Sequence, residues 1–319
     1  MATMSEFAKI YQNTRKKIDP ASPECRFLTL LGAGKVAEAT ALFVSKRQFE
    51  DAPCVVDAPS GRYEGPEEIR IFAENWLKSF DASRIDVQPV IQTRACGRAV
   101  TELLASIYKG EHLLKQFPMA AVGDLCLEGR LEGLRIYFHY KNSPGFSAYR
   151  KPIFSSQHVC VQEPHLMTGA PKAYLTALHQ QPTADVERIM TLVGDPFAFG
   201  GYVDMGGDSI LTDRERLREA YTHMATYIPK WLDIRFETLT DDGITCAIEW
   251  VHVITKEGRM EGNRLCESGF AAYERGEDGR LSAIRICDYA NCESEIDWSC
   301  QTITKKEAER INYLGNQDE

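Results

Sequence analysis

The chain has 319 residues, a formal net charge of −9, and a composition of 44% apolar and 26% charged residues. That length suits two domains of about 150 residues better than one core, and the acidic balance excludes a nucleic-acid reader, whose phosphate partner demands a basic stripe. No apolar run approaches the roughly 20 residues that span a bilayer, and residues 1–17 lack the apolar stretch of a signal peptide, so a cytoplasmic protein without a membrane partner is expected.

Ten scattered cysteines with no C-x-x-C pair agree with free thiols in a reducing compartment. In chain order, residues 4–17 form an amphipathic helix with Phe7, Ile10 and Tyr11 on one side, broken by Asp19-Pro20 and Ser22-Pro23. Two helices, Cys25–Leu31 and Lys35–Val44, follow around Gly32-Ala33-Gly34, and Phe49 through Val56 reads as a strand before the turn at Ser60-Gly61. Pro66-Glu67-Glu68 opens a helix whose apolar stripe is Ile69, Phe72, Trp76 and Phe80. From Ile85 to His139 the apolar period becomes two, interrupted at Gly97, Lys109-Gly110 and Gly123-Asp124, which predicts four antiparallel strands. Pro144, Pro152, Pro164, Gly169 and Pro171 then leave little room for regular structure.

The same plan recurs. Ala173–His179 and Ala184–Leu192 are helical, Phe197 begins a strand, and Thr212-Asp213-Arg214-Glu215 has the spacing of a capping box for a helix carrying Leu217, Tyr221, Met224 and Ile228. Strands are expected at Leu232–Leu239, Thr245–Ile254, Arg264–Glu274 and from Leu281 to Tyr289, and a short helix after Asp297. The closing motif Gly279-Arg280-Leu281-Ser282-Ala283-Ile284-Arg285-Ile286 repeats Gly129-Arg130-Leu131-Glu132-Gly133-Leu134-Arg135-Ile136, each a Gly-Arg turn feeding a strand. One fold written twice is therefore expected, with a first unit at 1–145, a linker at 146–171 and a second unit at 172–319.

An α+β unit of this length and order, closing on a Gly-Arg-Leu turn and strand, resembles the SnoaL-like group of the nuclear-transport-factor-two-like (cystatin-like cone) superfamily. The resemblance implies a curved antiparallel sheet wrapped around helices, with an apolar cone-shaped pocket. It further implies a cofactor-independent isomerase, cyclase or dehydratase acting on a hydrophobic cyclic small molecule of polyketide, steroid or terpenoid type. Because many single-unit members pair through the outer sheet face, it also implies an intramolecular pseudo-dimer and leaves room for further homo-oligomerisation. A non-catalytic binding or assembly module of the same fold is the alternative, favoured wherever large side chains fill the pocket.

Strand parity then sorts the candidates. Ile248, Trp250, His252 and Ile254 share one face of their strand, and Ile284, Ile286 and Asp288 share one face of the closing strand. Asp288 matches the position where SnoaL-like cyclases carry an acid/base aspartate. With His252 it makes the expected catalytic pair, because burial and pairing bring such groups toward neutrality; Trp250, Tyr221 and Phe270 are the expected pocket walls. The bland readings are a hydrogen-bonded core histidine at 252, a strand cap or a partner of Arg264 or Arg280 at 288, and simple packing at Tyr221. In the first copy the alignment sets Phe138 opposite Asp288 and Tyr108 opposite His252, leaving Tyr108 and His139 as substrate-binding candidates in a unit that is mainly scaffold. No H-x-x-x-H or H-x-H spacing, G-x-S-x-G elbow, Walker pattern or G-x-G-x-x-G loop occurs, so neither metal nor cofactor is expected.

Overall fold

The computed structural model describes residues 18–47, 52–95, 97–138, 166–201, 210–225, 234–255, 264–287 and 302–303. The chain is α+β and divides into two compact units, 1–148 with 202–205 and 149–201 with 206–319. Unit 1 runs α1 (Pro23–Gly32), α2 (Val36–Thr40), β1 (Val55–Ala58), β2 (Gly61–Glu64), α3 (Gly65–Ser79), β3 (Arg84–Ala95), β4 (Arg98–Lys109), β5 (His112–Leu125) and β6 (Leu131–Tyr137). Unit 2 runs α4 (Gly169–Leu178), α5 (Val186–Leu192), β7 (Val193–Gly201), β8 (Ile210–Leu211), α6 (Arg214–Met224), β9 (Ile234–Asp241), β10 (Thr245–Thr255), β11 (Arg264–Arg275), β12 (Leu281–Cys287) and β13 (Thr302–Ile303).

Strand order is β2-β1-β6-β5-β4-β3 in one sheet and β8-β7-β12-β11-β10-β9 in the other. Each is a meander of four antiparallel strands extended by a hairpin whose first strand lies parallel to the closing strand, β1 on β6 and β7 on β12. The repeated motif therefore sits inside each sheet. Its turn is built identically: Gly129 and Gly279 both hold φ of 75°, a conformation open to glycine. Gly129 N–H donates to Cys126 O and Cys126 N–H to Arg130 O, as Gly279 N–H donates to Gly276 O and Gly276 N–H to Arg280 O. Even the ladder irregularity recurs, between Asp124 and Leu125 and between Glu274 and Arg275.

Helices cover one face of each sheet. In unit 1, Phe27, Leu28 and Leu31 of α1 and Ile69, Phe72 and Trp76 of α3 join Leu103, Ala105, Phe117, Met119, Leu134 and Ile136 in one buried cluster. In unit 2, Tyr174 and Leu175 of α4 and Leu217 and Tyr221 of α6 meet Ile248, Trp250, Ala271, Tyr273 and Ile284. The opposite faces are buried too and carry charge: Glu102, Arg135, Glu249 and Arg285 are each at most 1% exposed.

Several boundaries differ from expectation. Gly123-Asp124 lies inside β5, where Leu131 and Glu24 would come within 3.1 Å of any Cβ at 123, and the chain turns instead at residues 126–130, where Gly129 takes the positive φ. Helix α4 starts at Gly169 rather than Ala173, since Pro171 fits the first turn of a helix. Asp213, not Thr212, caps α6, its carboxylate accepting from Arg216 N–H at 2.9 Å. The described part of the C-terminal tail is a strand, with Arg264 opposite Ile303 and Leu265 opposite Thr302, not a helix.

Candidate functional site

Ladder register identifies which residues of the two units are equivalent. Ala121 lies opposite Ile136 and Ala271 opposite Ile286, so β5–β6 and β11–β12 correspond at an offset of 150. Across the next ladder Leu103 faces Met119 and Trp250 faces Gly269, an offset of 147 for β4 and β10. Two residues join β4 to β5 and eight join β10 to β11. By this register His252 corresponds to Ala105, not to Tyr108, and its cross-strand neighbour Glu267 corresponds to Phe117. Glu267 escaped the sequence reading because an alignment carried through hairpins of unequal length slips by several residues.

The interior of unit 1 is closed by aromatic rings. Phe72 and Trp76 have centroids 5.4 Å apart, Trp76 and Phe80 5.1 Å, Phe80 and Phe138 5.9 Å, and Phe117 and Phe138 5.4 Å. Pairs at these separations add to burial through edge-to-face and offset contact. Beyond the stack, Gln92 Nε2 donates to Ser22 Oγ, Glu24 Oε1 and Thr101 Oγ1 at 2.8, 2.9 and 3.1 Å. Glu24, fully buried, keeps Oε2 without a hydrogen-bond partner.

Unit 2 keeps none of that stack in its sequence. Phe117 and Phe138 become Glu267 and Asp288 at the sheet offset, while Phe72, Trp76 and Phe80 become Ala220, Met224 and Ile228 at the helix offset that pairs Ile69 with Leu217. Three phenols stand in its core. The hydroxyls of Tyr174 and Tyr221 share a hydrogen bond of 2.6 Å, and the Tyr174 ring lies 5.6 Å from that of Tyr273. Burial pushes Tyr174 up to about 12, and burial, then the neighbouring phenol, raises Tyr221 well above its usual value. All three are therefore protonated donors at neutral pH, an outcome packing signals in the sequence did not disclose.

Trp250 is 9% exposed, and its indole lies across Gly269: a Cβ there would come within 1.9 Å of Cζ2. Beside it, His179 at the end of α4 stacks on Phe236 of β9, and burial pulls its imidazole down to about 4. His179 was absent from the candidates because, in sequence, it is one more residue at a helix end.

Of the expected site residues, Tyr221 and Trp250 both belong to the unit 2 core. His252 is placed by its backbone, opposite Glu267 and Ile234. Asp288 and His139 lie outside the described residues. Two expectations need correction. Phe270 faces Glu249 and Cys287 across its ladders, so it belongs to the charged face of the sheet, away from Trp250. Tyr108 alternates with the core residue Ile107 and lies under the Arg84 guanidinium, 4.4 Å from the ring centroid, outside the unit 1 core. Both follow from strand alternation once the helix-covered face is known.

Among the described residues, Arg280 is engaged by Asp278 at 2.6 Å, no group of three or more His, Cys, Asp and Glu residues is placed to hold a metal ion, and no helix is long and apolar enough to cross a membrane. No family model and no curated protein matches the sequence. Among solved structures, the chain is similar to an NTF2-like protein of unknown function from Cytophaga hutchinsonii, with 13% identity and a TM-score of 0.29 over 40% of this chain and 96% of that one. It is also similar to a de novo designed protein with a curved β-sheet, with 12% identity and a TM-score of 0.27 over 35% of this chain and 77% of that one.

Proposed function

We propose that unit 2 binds a hydrophobic cyclic small molecule and transfers a proton on it, as an isomerase, cyclase or dehydratase of SnoaL-like type, while unit 1, a copy of the same ancestral unit, serves as scaffold. One observation carries this reading: every ring of the unit 1 stack is replaced in unit 2 by a smaller or ionisable residue, with Glu267 and Asp288 standing where Phe117 and Phe138 close the other core. Ring-to-carboxylate changes at inner register positions lower stability unless the space serves a ligand or a reaction.

In the proposed mechanism His252, with Glu267 opposite it on the neighbouring strand, takes a proton from a carbon or hydroxyl of the ligand. Asp288 returns one at a second position. The Tyr174–Tyr221 hydroxyl pair donates to the oxygen on which negative charge develops, since protonated phenols in a dry core stabilise an oxyanion without rearranging. Trp250 holds the ring system in place. The affinity comes mainly from apolar burial, at about 25 cal/mol per Å².

Exchange of the α-hydrogens of 1-tetralone in D2O, followed by NMR, tests this reading. The protein is expected to accelerate exchange with a bell-shaped pH dependence, and Asp288→Asn and His252→Gln to lower the rate at least a hundredfold. A binding module without catalysis is the second reading, supported by the fact that the described core of unit 2 offers donors and a neutral imidazole but no ionised base. Binding of 1-tetralone with exchange no faster than in buffer would decide for it.

A further inference from the structure

On the face of the unit 2 sheet opposite Trp250, Thr245 of β10 lies across the ladder from Glu274 of β11. Thr240 of β9 lies opposite Ala247 on the same face, diagonal to Thr245. All three polar residues are buried, at 0% exposure for Thr245, 1% for Thr240 and 4% for Glu274. Neither threonine hydroxyl has a hydrogen-bond partner. Glu274 receives Arg285 on Oε2, and among the described residues no group hydrogen-bonds its Oε1. Idle hydroxyls in such a place are unfavourable, because a buried polar group left unpaired carries its desolvation penalty uncompensated.

Unit 1 shows what the equivalent place takes. Its ladder partners at the same register are Arg98 and Asp124. Asp124 accepts from two guanidinium groups, from Arg98 Nε at 2.7 Å and from Arg135. Arg285 stands where Arg135 does, but Thr245 stands where Arg98 does, so unit 2 supplies only one of the two cations from these positions. The neighbouring pair shrinks as well: Val100 opposite Val122 in unit 1 becomes Ala247 opposite Ala272 in unit 2.

We infer that the side-chain oxygens of Thr240, Thr245 and Glu274 bind a small monovalent cation, an alkali metal ion or ammonium, in the place that the Arg98 guanidinium fills in unit 1. A donor set made only of oxygens suits a hard cation. A single positive charge gives Glu274 two cationic neighbours, as Asp124 has, whereas a divalent ion would exceed that. The two hydroxyls then gain the partner that the protein does not provide. This site lies on the charged face of the sheet and does not depend on the ligand proposed for the core.

Thermal unfolding of the full chain in potassium, sodium, ammonium and tetramethylammonium chloride at equal ionic strength tests this. Tetramethylammonium is the control, being bulky and without N–H donors. Wild-type protein is expected to unfold about 5 °C higher in at least one of the three small cations, with a saturating dependence on its concentration. Thr245→Val keeps the side-chain shape and removes the hydroxyl; Thr245→Arg copies the unit 1 arrangement. Each variant is expected to lose the difference between salts, and Thr245→Arg to match in every salt the stability that wild-type protein reaches only with its cation. Equal midpoints of wild-type protein in all four salts overturn the inference, a result that needs no variant to fold. A difference between salts that survives in either variant also overturns it, and marks an adventitious ion only.

Discussion

The guanidinium of Arg285 donates to the Glu274 carboxylate at 3.0 Å while its side chain is wholly buried and that of Glu274 is 5% exposed. The same relationship stands in unit 1, where Arg135, 0% exposed, engages Asp124 eleven residues earlier in the chain. Buried pairs of this kind seldom stabilise relative to apolar residues, yet breaking one strands a charge. Arg285→Met is therefore expected to lower stability by about 3–5 kcal/mol. The double variant Arg285→Met/Glu274→Leu should recover most of the loss, and urea denaturation of the single and double variants checks both.

Asp124 sets an acid limit. Burial alone would raise its carboxyl, but Arg135 and Arg98, the latter donating at 2.7 Å, outweigh burial and hold it well below the carboxylate range. A group depressed in the folded state stabilises fully above its unfolded value, about 3.9, and loses that contribution as the pH falls through the folded value. Stability should thus decline steeply below about pH 4. Asp124→Asn is expected to be less stable at pH 7 and to show a flatter acid limb when urea midpoints are measured from pH 7 to pH 2.

Gly269 and Trp250 are a matched pair. Any side chain at 269 meets the indole, so Gly269→Ala is expected to cost about 1–3 kcal/mol by overpacking. Unit 1 solves the same contact with Leu103 opposite Met119. Transplanting that solution as Trp250→Leu/Gly269→Met should restore stability relative to Gly269→Ala while removing the indole proposed to hold the ligand. Thermal unfolding together with 1-tetralone titration separates the two effects.

The aromatic stack of unit 1 predicts an asymmetry. Phe138, 2% exposed, touches Trp76, Phe80 and Phe117. Phe138→Ala should cost about 3–5 kcal/mol and leave 1-tetralone binding intact, because the ligand site is proposed for unit 2. Loss of binding in proportion to loss of stability would count against the division of labour.

Much was legible in residue order. The stripe Ile69, Phe72, Trp76 named the buried face of α3, and alternation between Ile284 and Arg285 separated the core from the charged side of β12. The site was less legible. Tyr174, Tyr221 and Tyr273 are far apart in the chain and acquire a shared chemistry only when α4, α6 and β11 meet. His179 carries no signal until Phe236 lies beneath it.

By itself the sequence determined the two-fold order of elements, because turn glycines and apolar periods are local properties that each segment expresses alone. Tertiary structure alone decided the register of β10 on β11, which pairs His252 with Glu267, and the side of the sheet on which Phe270 and Tyr108 lie. The reason is physical. Both faces of these sheets are buried, so composition does not tell one from the other, and hairpins of unequal length let an alignment slide where hydrogen-bonded ladders do not.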